Sequence, residues 1–396
     1  MIKKNKSLSA QVETLAKNYV KTNTFPSIEW LIHKSGHILS EGFIKSPRLT
    51  SKIQLEHVPI YRIYSMTKPI IAFAGLIALE QQKIKLSDPV AKYIESFHNI
   101  KVLSKSNSLK TPDRAIILDD LFTHRSGLSY GFNRFCPVGK KYYISGLINN
   151  SQLSLKAFVK KISEFPIAFE PGTAWRYSLS TDVLARVLEV VFGTSIENIL
   201  FKFIFKPVGM IDTRYYVSDN HISRVMPVYG EENLDKTTDI QFKISDMPLA
   251  NVERFYPSER LKVKPRGGHG LFSTAADYAR FANMLLTGKT QSGERLISHK
   301  MLKFSLKNRL YKKQRPLFID TNEQYGYGWN LLGRVMKDTA RSLSLSNKGE
   351  YGWAGAASTY FWIDPECEIT GIVMSQFLGS EISLGEEIKS ITYTTI

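Results

Sequence analysis

From Ile70 to Leu79 the chain reads Ile-Ile-Ala-Phe-Ala-Gly-Leu-Ile-Ala-Leu, without a charged residue on any side. A helix that is apolar all round has no solvent face, so it must run through the middle of the molecule with the fold built about it. Glu80 and Lys83 bound the run too closely for a membrane span. Directly before it stands Ser65-Met66-Thr67-Lys68-Pro69. Proline is tolerated in a first helical turn, which places the serine and lysine near a helix N-terminus. Residues three apart on a helix share a face, with Cβ atoms about 5–6 Å apart, so the amine can reach the hydroxyl. A lysine whose pKa is lowered by desolvation or by neighbouring positive charge can take that proton and leave a nucleophile. The partial positive charge of the helix start favours a developing oxyanion. The same spacing equally suits a capping serine beside a solvated lysine, so its meaning rests on what else meets it.

The chain of 396 residues is long enough for one large domain or for two lobes sharing a cleft. At 43% hydrophobic and 22% charged residues, disordered and fibrous classes are excluded. The net charge of +17 is compatible with anionic partners, but the basic residues are scattered and only short clusters such as Lys312-Lys313-Gln314-Arg315 occur. A generally cationic surface is expected, with no nucleic-acid site. Two cysteines, Cys136 and Cys367, form no disulfide framework and have no metal-ligand spacing near them. The N-terminal segment is basic, then amphipathic, and lacks an apolar signal-peptide core. A soluble, cytoplasmic protein without membrane span, metal or cofactor is the expectation.

Residues 8–20 have the spacing of an amphipathic helix, and 27–43 alternate around Lys34-Ser35-Gly36 as a β-hairpin. A buried helix over 66–82 follows, then short helical pieces from Leu86 to Val90 and from Ile117 to Phe122. Residues 129–150 read as a loop, and Ser154–Phe165 and Thr181–Phe192 as helices, the latter stopped by Gly193. The span 215–265 is irregular, and Thr274 with Asp277 has capping-box-like spacing for a helix ending at Gly288. Strand patterns return at 327–332, 358–363 and 369–374, and the segment after Gly385 has no clear pattern. Strands thus gather at the two chain ends around a mainly helical middle. The expected fold class is α+β: one antiparallel sheet from N- and C-terminal segments, covered by helices, with a helical lobe inserted. The division expected is 1–85 with 321–396 as the sheet lobe and 86–320 as the helical lobe, within one catalytic domain over 1–396.

Two further stretches bear on chemistry. Pro171-Gly172-Thr173-Ala174-Trp175-Arg176-Tyr177-Ser178-Leu179 fixes a loop before the helix at 181. A tyrosine held near a lysine can move protons, although a packed aromatic is the commoner use of such a residue. Gly349-Glu350-Tyr351-Gly352-Trp353-Ala354-Gly355-Ala356 lies directly before a strand, where small residues allow close backbone approach and an N–H can face an oxyanion; a plain glycine-rich turn fits as well. Gly127-Leu128-Ser129-Tyr130-Gly131 satisfies the G-x-S-x-G pattern, which requires a strand before it and a helix after it. Neither is legible here, so Ser129 is not the expected nucleophile. His124 and His269 have no acidic orienting partner in view and are expected to be structural or to line the cleft.

With these residues in hand the chain resembles the serine β-lactamase-like hydrolases: class C β-lactamases, penicillin-binding DD-peptidases and family VIII carboxylesterases. Ser65-x-x-Lys68 resembles their first motif and Tyr177-Ser178-Leu179 the tyrosine motif, while Trp353-Ala354-Gly355 stands where β-lactamases carry Lys-Thr-Gly. Blocks at 124–128, 177–187, 267–286 and 352–365 follow in family order, so the resemblance spans most of the chain. It implies a β-lactamase/transpeptidase-like fold with helices on both faces of the sheet. It also implies Ser65 as nucleophile, Lys68 and Tyr177 sharing the proton transfers, and an oxyanion hole of the Ser65 and Ala356 N–H groups. Trp353 and Gly355 would line the substrate site, and no metal is needed.

Leu179 and Trp353 depart from the β-lactamase pattern, removing an amide and a cationic partner for a β-lactam. A tryptophan wall favours uncharged, apolar acyl groups, so the expected activity is a carboxylesterase for small or medium acyl esters. A β-lactamase, DD-peptidase or acyltransferase of the same fold is the alternative, followed by a non-catalytic binding homologue. The partner is a small ester or amide substrate.

Overall fold

The computed structural model describes residues 4–47, 49, 58–104, 106–149, 151–236 and 249–396. Its centre is a seven-stranded antiparallel sheet of β1 (Ser27–Lys34), β2 (His37–Lys45), β3 (Tyr327–Trp329), β4 (Arg334–Met336), β5 (Tyr351–Gly355), β6 (Thr359–Asp364) and β7 (Ile369–Met374). The order is β3-β4-β5-β6-β7-β1-β2, so the N-terminal hairpin adds to the C-terminal meander through β1 and β7, where Trp30 faces Val373. The expected union of the two chain ends is therefore realised. Ser35 and Gly36, both at positive φ, make the tight hairpin turn.

Helices cover both faces. Helix α1 (Lys6–Lys21) and α5 (Leu384–Thr395) share one face, burying Leu8, Val12, Ala16, Leu384 and Ile388 against Ile28, Trp30, Trp362 and Val373. On the other face lies α4 (Ala275–Thr287), whose Tyr278 ring meets Phe361 of β6 at 4.9 Å. Behind α4 runs α2 (Thr67–Glu80), buried from Thr67 through Ala78, with Phe73 against Phe281 of α4. Next comes α3 (Ser180–Phe192), which ends on Gly193 in the left-handed conformation. The all-round apolar helix thus occupies the middle, as its sequence requires. At Gly75 a side chain would displace the Phe122 ring, since a Cβ would lie 2.4 Å from it. Although α4 falls between residues 86 and 320, it packs on the sheet, so the sheet lobe draws on the middle of the chain as well. Among the described residues no helix is long and apolar enough to cross a membrane.

Several local expectations need correcting. The stretch read as a loop at 129–150 contains a helix, Pro137–Ser145, started by its proline and closed by Gly146 at positive φ. The pattern-poor C-terminus is α5. Tyr351–Gly355 is not a turn leading into a strand but is itself the strand β5, paired on both sides by β4 and β6. Gly352 makes this possible: a Cβ there would lie 2.2 Å from the Phe361 carbonyl oxygen. The helical run from Ile196 to Val208 carried no reading at all. Within the irregular 215–265 span, residues 237–248 lie outside the described residues.

Candidate active site

Ser65 sits in a one-turn 3-10 helix, Tyr64–Met66, that feeds directly into α2. Tyr64, just before it, holds φ = 43°, an uncommon conformation for a bulky residue and the kind of local strain that surrounding structure must enforce. That enforcement is visible. The Ile63 N–H donates to the Leu271 carbonyl at 3.1 Å, the Leu271 N–H donates to Thr67 Oγ1 at 3.3 Å, and the Tyr278 hydroxyl donates to the Met66 carbonyl at 2.8 Å. The buried Tyr64 ring packs on Tyr256, 4.9 Å away. Ser65 alone of this turn is half-buried, while Tyr64, Met66, Thr67 and Lys68 are buried.

Lys68 Nζ donates to Ser65 Oγ at 3.2 Å and to the Gly268 carbonyl at 2.8 Å. It also lies 4.7 Å from the centre of the Tyr177 ring and 5.1 Å from that of Tyr130. Burial penalises its ammonium and brings its pKa down to about 7, with the Asp182 carboxylate pulling the other way. The Tyr177 hydroxyl accepts a hydrogen bond from Trp353 Nε1 at 3.1 Å, and Ser65 and Trp353 both pull its pKa down. Burial outweighs both and holds the Tyr177 pKa above that of a free phenol. Hydroxyl, amine and phenol therefore come together, although Tyr177 is far from the other two in sequence.

Aromatic rings wall the pocket. Trp353, itself buried, stands edge-on to Trp329 at 4.6 Å and 5.1 Å from Tyr177. Trp329 and His124 meet at 5.0 Å, and His124 and Tyr177 at 4.9 Å. Tyr130 stacks on Phe132 at 5.0 Å and also touches Tyr177. The Trp353 indole N–H is itself engaged with the tyrosine oxygen. Burial, then Lys68, pushes the His124 pKa well below the usual imidazole value; burial, Arg266 and Lys68 bring His269 to about 3. Both are neutral in this site, and the His124 ring shares a 3.2 Å hydrogen bond with Ser178 Oγ rather than with a carboxylate.

Gly355 ends β5 against the turn that carries Ser65: a Cβ there would lie 2.5 Å from the Ile63 carbonyl oxygen. Ala356, which follows, is exposed at the strand's end. Leu179 is buried beneath α3 and offers the cleft no polar group. Ser129 is buried, its Oγ accepting from Asn133 Nδ2 at 3.4 Å, and it tops no strand-to-helix turn. Gly127, two residues before it, sits at positive φ, and a Cβ there would lie 2.5 Å from the Phe169 carbonyl oxygen.

The arrangement of serine, lysine and tyrosine on this sheet-and-helix frame agrees with a match over residues 12–390 to the family model named Beta-lactamase. The chain belongs to the β-lactamase family. Among its relatives is Protein Rv1367c of Mycobacterium tuberculosis (strain ATCC 25618 / H37Rv), 28% identical over 82% of this chain and 79% of that protein. Esterase EstB of Burkholderia gladioli is 25% identical over 77% of this chain and 74% of its own. The solved structure of EstCE1, a hydrolase with promiscuous acyltransferase activity, superposes with a TM-score of 0.80 at 19% identity, covering 98% of this chain and 99% of that one. That likeness shows the β-lactamase fold, in agreement with the antiparallel sheet and its two helical faces.

Several residues at the heart of this β-lactamase-family site carried no functional reading from sequence. Asp182, Gly268, Tyr130 and Trp329 all face the lysine, the tyrosine or their neighbours. A carboxylate in the first turn of the helix that follows Tyr177 was a usable signal for Asp182, as was the Gly267-Gly268 pair for a close backbone approach.

Proposed function

We propose that this protein is a carboxylesterase that hydrolyses small or medium acyl esters through an acyl-enzyme on Ser65. The observation that carries the reading is the convergence of Ser65 Oγ, Lys68 Nζ and the Tyr177 hydroxyl inside an aromatic pocket. Ser65 Oγ attacks the ester carbonyl carbon while its proton passes to neutral Lys68. The oxyanion is held by the N–H groups of Ser65 and Ala356. The departing alkoxide takes a proton from the Lys68–Tyr177 pair, leaving the acid as an ester on Ser65. Water then attacks that ester, its proton goes to the same pair, and Ser65 is restored as the acid leaves. Since burial raises Tyr177 and lowers Lys68 to about 7, Lys68 is the base that titrates near neutrality and Tyr177 remains a phenol that relays the proton.

Trp353 and Leu179 support an ester over a β-lactam: neither offers the charge or the amide that would recognise such a ring with its carboxylate. The esterase named among the relatives points the same way. Chromogenic esters of increasing acyl length test the reading. Ser65→Ala is expected to lower kcat by about 10³-fold or more, whereas Ser129→Ala keeps the activity. Full turnover by the Ser65→Ala protein rejects the assignment, and faster turnover of a chromogenic cephalosporin than of any ester replaces carboxylesterase with β-lactamase.

A further inference from the structure

Asp182 is fully buried in the first turn of α3, one turn beyond the tyrosine motif. Its Oδ1 accepts from the Gly267 N–H at 2.9 Å and the Gly268 N–H at 3.0 Å. These two bonds fix a turn whose next group, the Gly268 carbonyl, receives Lys68 Nζ. Its Oδ2 has no hydrogen-bond partner among the described residues. A buried carboxylate oxygen without a partner is costly and rare, so its presence beside the reacting groups calls for a reason. The space it faces is tightly shared: a Cβ on Gly268 would lie 2.6 Å from Asp182 Oδ2, 2.7 Å from the Tyr130 hydroxyl and 3.3 Å from Lys68 Nζ. The carboxylate thus looks across a glycine toward the lysine without touching it.

We propose that Asp182 is a positioning residue for Lys68: one oxygen holds the Gly267-Gly268 turn that orients the amine, and the other supplies a fixed negative charge that sets where the amine titrates. This rests on the reading of Ser65 and Lys68 as the acylation pair. A lysine buried among rings with no counter-charge would lose its proton far below neutrality and would be a feeble base. A carboxylate in direct contact would lock it as an ammonium. A carboxylate set behind Gly268 lies between those extremes. The other titratable or charged groups around Lys68 are Tyr130 and Tyr177, kept protonated by burial; His124 and His269, kept neutral by burial; and Arg266, which faces Asp182 and His269. Asp182 is therefore the one acidic group among them.

The test is the rate at which a fluorophosphonate labels Ser65 in the full chain, measured against pH. For the wild type, labelling falls as pH drops below about 7. In Asp182→Asn the amide oxygen keeps both glycine N–H bonds while the charge is lost. The acid limb is expected to move down by about 1 pH unit or more, with the high-pH plateau retained within a few fold. Asp182→Ser, which removes the charge with a smaller side chain, must show the same displacement should the amide variant not fold. A limb that stays in place while the plateau falls overturns the proposal and leaves Asp182 a purely structural group. Absence of Ser65 labelling in the wild type at every pH instead sinks the esterase reading beneath it.

Discussion

Two lysines of this protein are buried against tyrosines, and they are opposites. Lys389, on α5, donates to Glu350 at 2.9 Å and to the Tyr327 hydroxyl at 3.0 Å, with Glu386 at 2.8 Å and Arg334 close behind it. Burial works against its charge, but Tyr360, Glu350, Tyr327 and Glu386 overcome that penalty and hold its pKa above the ordinary lysine value. Lys68 has a hydroxyl and a carbonyl as acceptors and no carboxylate in contact, and the same desolvation brings it to about 7. Burial alone therefore decides nothing. What decides is whether a carboxylate touches the amine, as beneath β3–β5, or stands one residue behind, as beneath the cleft. The first arrangement staples α5 to the sheet; the second leaves an amine that titrates near neutrality.

Truncating each lysine separates these roles most sharply. Lys68→Met is expected to cut ester turnover by about 10³-fold or more while leaving the thermal midpoint unchanged or raised, since a desolvated amine has been replaced by a thioether of similar length. Lys389→Met should do the reverse. It strands Glu350, fully buried, without its counter-charge, a loss of about 3–5 kcal/mol in chemical unfolding, yet the folded fraction should turn over ester at the wild-type rate. Activity titration beside urea unfolding checks both. Equal losses of activity in the two variants break the distinction.

How legible this was in the sequence follows from the same contrast. The Ser65–Lys68 turn could be read because its pattern is local: serine and lysine lie three apart before a helix that could only be central. Tyr177 could be brought in only through the resemblance, since nothing near it in the chain shows that it folds back over Lys68. The Lys389 network was invisible. Lys389 lies on a helix, Tyr327 and Arg334 on two strands and Glu350 just before a third, and they share no spacing. Helix α5 was itself unread. Its last turns run Ile391-Thr392-Tyr393-Thr394-Thr395, β-branched and aromatic residues that suggest strand, and tertiary packing of Leu384 and Ile388 overrides that preference.

Acidity sharpens the comparison next, because the two lysines respond to it with opposite sign. Lys68 titrates below its unfolded value, so between about pH 7 and the ordinary lysine range the unfolded chain binds the extra proton and stability rises with pH. Lys389 titrates above its unfolded value. Its contribution is complete below the ordinary lysine pKa and is lost only as pH rises beyond it. From pH 7 to 9 the wild type should therefore gain stability relative to Lys68→Met, by at most about 1.4 kcal/mol per pH unit, while the difference between wild type and Lys389→Met stays flat. Urea unfolding at three pH values measures both slopes. Over the same range kcat/KM should reach a plateau above about pH 7 and fall below it as Lys68 gains its proton.

The smallest expected effect concerns the two tyrosines. The Tyr327 oxygen receives Lys389 and donates to Glu350 at 3.1 Å, so charges hold it on both sides. The Tyr177 oxygen is held by a neutral donor, Trp353 Nε1, which steadies the phenol without fixing its proton. Trp353→Phe keeps an aromatic ring beside Trp329 and removes that N–H together with the rest of the pyrrole ring. Loss of one neutral hydrogen bond, about 1 kcal/mol, predicts a fall of roughly fivefold in kcat, with KM for an apolar ester nearly unchanged because the ring surface remains. Tyr327→Phe should leave kcat and KM at wild-type values and show its effect only in unfolding. If Trp353→Phe instead raises KM and spares kcat, the indole is a substrate wall and not a holder of the phenol, and the Lys68–Tyr177 pair owes its geometry to the protein backbone alone.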